Sequence, residues 1–247
     1  MLIAIISDLH ANLDALQTCM AKIDELRPDD LICLGDMVGY GPNPREALDV
    51  VMARCSKVLL GNHDEALLKQ PVNFNKIPRE ALMWTKTQFE GEAYRRYLDY
   101  LWTLQPLLRE GEIVYSHGML QSNVNYVEVP EDVLFIFERM TVQERVCFAG
   151  HSHFPCIWGL RDSSLYYIEA EEAGPIELGE FEKCWVNVGS IGQPRDRDNR
   201  SCFITYDTEK RAVTYHRIAY DVDKTAQKIR DIPGLDNFLA DRLYRGI

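Results

Sequence analysis

Lys57-Val58-Leu59-Leu60-Gly61-Asn62-His63-Asp64 is the stretch on which the reading of this chain turns. An apolar run stops at a glycine and is followed at once by an amide, an imidazole and a carboxylate. Such an order serves a core poorly and a metal-assisted site well. The same pattern recurs at four other places. Ile5-Ile6-Ser7 leads to Asp8, with His10 two residues on. Cys33-Leu34-Gly35 leads to Asp36, and Val114-Tyr115-Ser116 leads to His117. Phe148-Ala149-Gly150 leads to His151, again with a second histidine, His153, two residues on. In an open α/β sheet the carboxyl ends of the strands line one crevice, so tips distant in sequence can converge. Of the six histidines only His216 lies away from these tips, and it reads as a strand-surface residue.

Outward from the strand at 57–60, the chain predicts strands alternating with helices, the signature of parallel pairing. Residues 2–7 form a strand. Asn12 to Leu26 places Leu13, Leu16, Met20 and Ile23 on one helix face. Arg27-Pro28-Asp29-Asp30 stops that helix before a buried strand at 31–34. Asn43-Pro44-Arg45-Glu46 predicts a helix start, with Asn43 as cap and Ala47, Leu48, Val51 and Met52 facing inward. Gln70 to Ile77 reads as loop, and 78–104 as helix rich in Trp84, Tyr94, Tyr97, Tyr100 and Trp102. Those aromatics suit helix packing, or alternatively a cap over a substrate cleft. Strands follow at 112–115 and 145–149 with a helix near 130–140 between them. Closely spaced strands at 156–160, 165–169, 184–188, 202–207 and 212–218 predict antiparallel sheet, and 222–244 returns to helix. The expected architecture is α/β: one domain over 1–247, two packed sheets with helices outside, and 70–104 as a candidate helical cap.

Composition bounds the function. The 247 residues are 46% hydrophobic and 26% charged, enough for a substantial core. No apolar run approaches the ~18 residues a membrane span needs, and Met1 to Ile6 lacks the basic flank of a signal peptide. The seven cysteines are scattered without CxxC spacing, which points to free thiols in a reducing cytoplasm. A net charge of −11 argues against a nucleic-acid polymer as partner. There is no Walker loop, dinucleotide fingerprint or HExxH, and no triad motif surrounds Ser190.

Two aspartates, an asparagine and four histidines offer oxygen and imidazole donors for two divalent ions. Without thiolates the set favours manganese, iron, zinc or a similar metal. Two such ions ~3.5–4 Å apart can hold a phosphoryl oxygen and activate water. The pocket is then locally positive, and phosphate is its natural anion.

Asp8-x-His10, Gly35-Asp36, Gly61-Asn62-His63-Asp64, His117 and Gly150-His151-Ser152-His153, in that order, resemble the calcineurin-like metallophosphoesterases. Gly35–Pro42, Trp84-Thr85 and Asn187 to Asp196 look like the bacterial branch grouped with diadenosine-tetraphosphatase-like and phosphodiesterase proteins. The resemblance implies a four-layer αββα sandwich of two mixed sheets. It implies that Asp8, His10, Asp36 and His153 hold one metal, and that Asn62, His117, His151 and again Asp36 hold the other. Asn62 would also touch phosphate. His63 matches the family's catalytic histidine at the leaving-group oxygen, with a metal-bound hydroxide attacking in line. Phosphoprotein phosphatases of this superfamily carry an aspartate–arginine pair three and four residues after the bridging aspartate. Gly39 and Tyr40 stand there instead. That disfavours a phosphoprotein substrate and leaves the partner of His63 open, Asp64 being one candidate. Arg195 can replace the missing phosphate clamp, or pair with a nearby aspartate in its own loop. The expected function is binuclear-metal hydrolysis of a small phosphodiester or nucleotide-type substrate, away from membranes. Symmetrical diadenosine tetraphosphate hydrolysis and a non-catalytic interaction scaffold on the same fold are the alternatives.

Overall fold

Ile3 and Ile5 pack to one side of their strand and Ala4 and Ile6 to the other, and all four are buried. A strand with apolar neighbours on both faces must lie inside a layered sandwich. The computed structural model describes residues 1–247 except 71–73, 121, 123, 171 and 173. In chain order β1 (Leu2–Ile6), α1 (Leu13–Leu26), β2 (Asp30–Cys33), α2 (Pro44–Arg54) and β3 (Lys57–Val58) form the first alternating unit. Three helices follow: α3 (Asn62–Leu68), α4 (Lys76–Thr87) and α5 (Arg95–Thr103). Next come β4 (Leu107–Glu110), β5 (Ile113–Ser116), α6 (Pro130–Arg139) and β6 (Val146–Ala149). The remaining strands are β7 (Cys156–Arg161), β8 (Ser164–Glu169), β9 (Ile176–Glu177), β10 (Lys183–Asn187), β11 (Ser201–Asp207) and β12 (Ala212–Ile218). The chain closes with α7 (Val222–Arg230) and α8 (Phe238–Arg245).

Two six-stranded mixed sheets result, ordered β3-β2-β1-β11-β12-β9 and β4-β5-β6-β10-β7-β8. In the first, β1, β2 and β3 run parallel and β11 pairs antiparallel with β1, setting Ile5 opposite Ile204. In the second, β5, β6 and β10 are parallel, and β7 and β8 continue antiparallel. Between the sheets lie Ile5, Ile32, Tyr115, Phe148, Val186 and Ile204 among others. Truncating a side chain as enclosed as Phe148, 0% exposed, costs ~3–5 kcal/mol. The outer face of the first sheet is covered by α1 and α2 with Leu16, Met20, Leu48 and Val51. The outer face of the second is covered by α6 through Val133, Ile136 and Phe137. This is the expected α/β arrangement of two mixed sheets flanked by helices.

Several details differ from expectation. The closely spaced strands do not form one antiparallel sheet: β11 and β12 cross to β1, and β10 pairs parallel with β6. Which sheet a strand joins depends on long-range pairing that local alternation does not encode. Asn43 does not cap α2, and its Oδ1 is buried without a donor. Met52 is 36% exposed, because Ala47, Leu48 and Val51 already fill the buried stripe. The 78–104 helix is two helices, folded back where Phe89 meets Tyr97 at 5.4 Å between ring centres. Tyr94, Tyr97 and Tyr100 belong to the α1/α2 core, Trp84 packs with α7 and α8, and Trp102 is exposed. Trp84, Tyr94, Tyr97 and Tyr100 therefore serve packing and Trp102 does not, and part of the expected 70–77 loop and 70–104 cap lies outside the described residues. Among the described residues no helix is long and apolar enough to cross a membrane.

Candidate metal centre

β1, β2 and β3 end side by side, and backbone bonds clip their tips together. Asp8 N donates to Gly35 O at 3.0 Å and His10 N to Asp36 O at 3.0 Å. Opposite them, β5 and β6 end at His117 and His151, with Gly150 N donating to His117 O at 3.0 Å. The two sheets are then tied to each other across the site. His151 N donates to Asp8 Oδ2 at 2.9 Å, and His117 Nδ1 donates to the Leu34 carbonyl at 2.9 Å. Asp8, His10, Asp36, His151 and His153 all adopt left-handed φ, between 45° and 67°. Non-glycine residues in that region are uncommon and cost energy, and they concentrate where side chains must be aimed at a shared point.

The aim is visible in the donor atoms. Asp8, His10 and His153 bring one ligand atom each within 4.8 Å of one another, and so do Asp36, His117 and His151. One Asp36 oxygen joins the groups: Oδ2 lies 3.4 Å from His117 Nε2 and 3.8 Å from His10 Nε2. Its other oxygen accepts the His63 backbone N–H at 2.8 Å. Asn62 Oδ1 sits 3.1 Å from His117 Nε2. All seven side chains named as ligands from the sequence are therefore brought together, and all are buried.

Tautomers test whether a cation fits. His10 Nδ1 is 3.1 Å from Val38 O, and His153 Nδ1 is 2.6 Å from Gln193 O. A carbonyl can only accept, so each Nδ1 carries the proton and each neutral ring presents a bare lone pair at Nε2. Those two Nε2 atoms are 3.1 Å apart, and Asp8 Oδ1 is 3.1 Å from His153 Nε2. Asp8 Oδ1 is buried and receives no hydrogen bond among the described residues. His151 is held the other way round, Nε2 against Val124 O at 3.1 Å, which leaves Nδ1 free. Lone pairs and a carboxylate oxygen converging at this distance repel one another, and a divalent cation among them reverses the sign. The residues fit metal.

Protonation follows the same field. Burial alone would raise Asp8 and Asp36, but His153 beside Asp8 and His117 beside Asp36 hold both carboxyls below their ordinary values. Burial pulls His117 down, yet Asp36 outweighs it and lifts the imidazole to about 9. His10 and His153 are lowered, chiefly by burial, and His151 is brought to about 3 for the same reason.

His63 lies at the edge of the group, ring centre 4.8 Å from His10, 4.5 Å from Tyr40 and 5.2 Å from Phe74. Burial, with Arg195 adding to it, lowers its pKa to about 4. Its Nδ1 is buried with no hydrogen-bond partner among the described residues and faces Gly39. A Cβ at Gly39 would fall 2.3 Å from that nitrogen, so the residue standing where an aspartate was looked for gives His63 room and no hydrogen bond. Asp64 does not reach His63. Its carboxylate accepts Met37 N at 3.0 Å, Val38 N at 3.2 Å and Gly61 N at 3.1 Å. It is an N-terminal cap of α3 and a clasp on the Asp36 turn.

Arg195 donates to Gln193 Oε1 at 3.1 Å and Tyr126 OH at 3.5 Å, and makes no ion pair among the described residues. Asp196, its neighbour, pairs with Arg217 instead. A second guanidinium stands nearby. Arg242 lies 5.8 Å from the Tyr40 ring centre with Nε on Ile247 O, and burial together with Arg195 brings it down to about 10. Sequence reasoning did not single out Arg242, Tyr126 or Phe74: Tyr126 and Phe74 sit in loops without a motif, and Arg242 reads as an ordinary polar position of the last helix. Ser190 is a strut: its hydroxyl donates to Asp8 O and accepts Gln193 N, both at 2.8 Å. Asn187 holds the histidine turn through Gly150 O at 2.7 Å. His216 bonds Thr205 on the sheet at 2.9 Å.

Comparison with known proteins agrees with this geometry. The calcineurin-like phosphoesterase superfamily domain matches residues 1–211. An uncharacterized protein of Methanocaldococcus jannaschii is 31% identical over 250 residues, covering 99% of this chain and 98% of that protein. The crystal structure of a metallophosphoesterase from Sphaerobacter thermophilus superposes with a TM-score of 0.86 at 31% identity, over 100% of this chain and 99% of that one. A hypothetical protein from Pyrococcus horikoshii shares the fold, with a TM-score of 0.79 at 19% identity over 100% and 98% of the two chains.

Proposed function

This chain belongs to the calcineurin-like phosphoesterase superfamily, and from that premise we propose that it hydrolyses small phosphodiester or nucleotide-type substrates at a pair of divalent metal ions. Metal-dependent phosphoester hydrolysis is the general activity of the family. The finer reading rests above all on one observation, the bare Nε2 atoms of His10 and His153 held 3.1 Å apart beside the donorless Asp8 Oδ1. Asp8, His10, His153 and Asp36 would hold one ion, and Asp36, Asn62, His117 and His151 the other. Manganese, iron or zinc suits such nitrogen and oxygen donors. When bound, the ions supply Lewis-acid activation of water and of the phosphoryl oxygen.

The chain's own residues do the rest. Asp36 spans both groups through one oxygen while its other oxygen is fixed by His63 N–H, so its orientation does not depend on the substrate. The carbonyls of Val38 and Gln193 hold His10 and His153 in the tautomer that keeps Nε2 open, and the Leu34 carbonyl fixes His117 Nδ1 as a donor so that its Nε2 faces Asp36. His63 has Nδ1 turned against backbone, which leaves Nε2 as the nitrogen that can serve the leaving-group oxygen. Arg195, which has no carboxylate partner among the described residues, would bind a non-bridging phosphate oxygen. The gap at Gly39 and Tyr40 supports a small-molecule substrate over a phosphoprotein.

Turnover of bis-p-nitrophenyl phosphate by manganese-loaded protein, abolished by chelator and restored by metal, tests the reading. Protein that binds metal and shows no turnover across a panel of metals and esters would sink it in favour of a scaffold.

A further inference from the structure

The second sheet carries a row of aromatic side chains that the fold leaves partly uncovered. Trp185 on β10 is in register with Trp158 on β7, and Trp158 with Tyr167 on β8. Residues directly opposite on neighbouring strands share a face. Helix α6 covers the part of this face at Val114, Cys147 and Trp185, and Leu165 at the start of β8 packs against the edge of that cluster, whereas Tyr167 further along β8 stays 44% exposed. Beyond that cluster lies a groove of about 470 Å³ lined by Trp158, Tyr167, Trp185, Phe154, Tyr126 and Arg195. That volume is within the range of a small organic ligand. Phe154 is 46% and Tyr167 44% exposed, and the buried Trp185 indole N–H has no acceptor among the described residues. A buried indole N–H ordinarily finds one.

The groove starts at the metal centre. Tyr126, one of its walls, stacks on His151 with ring centres 4.2 Å apart and 15° between planes. Arg195 reaches that same tyrosine, and Ser152, between the two ligating histidines in sequence, lines the wall. We infer that this groove is the specificity pocket of the proposed hydrolase and takes a flat, uncharged aromatic group, such as a nucleobase or aryl ring, carried by the nucleoside or phenol whose oxygen is esterified to the phosphate held at the metals. The inference rests on the hydrolase reading and names its substrate class. Charge selects the occupant. Arg195 is the one cation of the lining and stands at the end shared with the metal site, whereas Glu128, also in the lining, is exposed and bears the charge that repels further phosphates. A single phosphate with an aromatic arm fits this order, and a polyphosphate chain running along the groove does not. Continuity with the metal site favours a substrate arm over a second copy of the chain.

The test is calorimetric titration of manganese-loaded full-length protein with adenosine 5′-monophosphate, ribose 5-phosphate and inorganic phosphate. Adenosine 5′-monophosphate is expected to bind at least about tenfold more tightly than ribose 5-phosphate, or about 1.4 kcal/mol. In a Phe154→Ala/Tyr167→Ala double variant the ratio should fall toward one. Both side chains are exposed, and circular dichroism with manganese content checks that the variant is folded. A parallel kinetic ratio uses thymidine 5′-p-nitrophenyl phosphate against methyl p-nitrophenyl phosphate, which share a leaving group. Binding of none of the three phosphates would defeat the hydrolase reading. Equal binding of adenosine 5′-monophosphate and ribose 5-phosphate would overturn the pocket alone. So would a dimer seen by sedimentation that the same substitutions dissolve.

Discussion

Replacing Asp64 by alanine separates two roles that its place beside His63 confuses. The carboxylate, 0% exposed, accepts three buried backbone N–H groups at 3.0, 3.2 and 3.1 Å, from Met37, Val38 and Gly61. Each buried donor left without an acceptor costs ~1–3 kcal/mol. Burial and the adjacent Asp36 push the Asp64 carboxyl up to about 7, so removing it also relieves an unfavourable charge. The net expectation is a loss of ~3 kcal/mol, which in a protein of this size lowers the melting temperature by ~6–12 °C. Asp64→Asn keeps one oxygen for Met37 and Val38 and should lose only ~1 kcal/mol. The Met37–Val38 turn carries the carbonyl that fixes His10 and follows directly on Asp36, so metal affinity should fall along with stability. Urea unfolding, with manganese content measured by plasma mass spectrometry, reads both. An alanine variant that unfolds and binds manganese like the parent, yet has lost turnover, would refute the clasp and return Asp64 to service on His63.

His63→Ala should lower turnover of bis-p-nitrophenyl phosphate at least a hundredfold with manganese content unchanged, and loss of both together would make His63 a ligand. Gly39→Ala should have a similar signature, because its Cβ would stand 2.3 Å from His63 Nδ1 in a backbone with φ of 86°; wild-type turnover would show that His63 has no fixed place. Manganese at a hundred times its dissociation constant should stabilise the fold by ~2.7 kcal/mol, seen as a melting temperature that rises with metal and drops with chelator. Glu144 accepts Arg109 Nη1 at 2.6 Å and Thr141 N at 2.7 Å, and against the raising effect of burial these bonds hold its pKa below 4.5. A carboxyl lowered in the folded state stabilises above its unfolded pKa, and the benefit disappears as pH falls through the folded value. Glu144→Gln should therefore cost ~1 kcal/mol at pH 7 and progressively less below pH ~4.5, and a pH-independent penalty in denaturant titrations would contradict the ion pair.

The candidate ligands were legible because metal chemistry needs particular side chains and the α/β fold needs them at strand ends. Asp8, Asp36, Asn62, His117 and His151 each follow an apolar strand, and both constraints are local in sequence. The seven-residue α3 was not legible, since one short helix shows no periodicity and its cap looks like a fourth polar ligand type.

The sequence by itself determined which residues could meet at a metal and that strands and helices would layer around them. Only the tertiary structure decided that Asp64 serves three backbone amides, that Gly39 shelters His63, and that among the described residues Arg195 lies without a carboxylate while Asp196 takes Arg217. It also decided that Tyr94, Tyr97 and Tyr100 join the core while Trp102 stays exposed, and that Trp158, Tyr167 and Trp185 open beside the site. The physical reason is range. Donor type and strand-tip position are set within a few residues, whereas hydrogen-bond partners such as Asp64 with Met37, or Asp196 with Arg217, lie more than twenty residues apart and are chosen only when the elements pack.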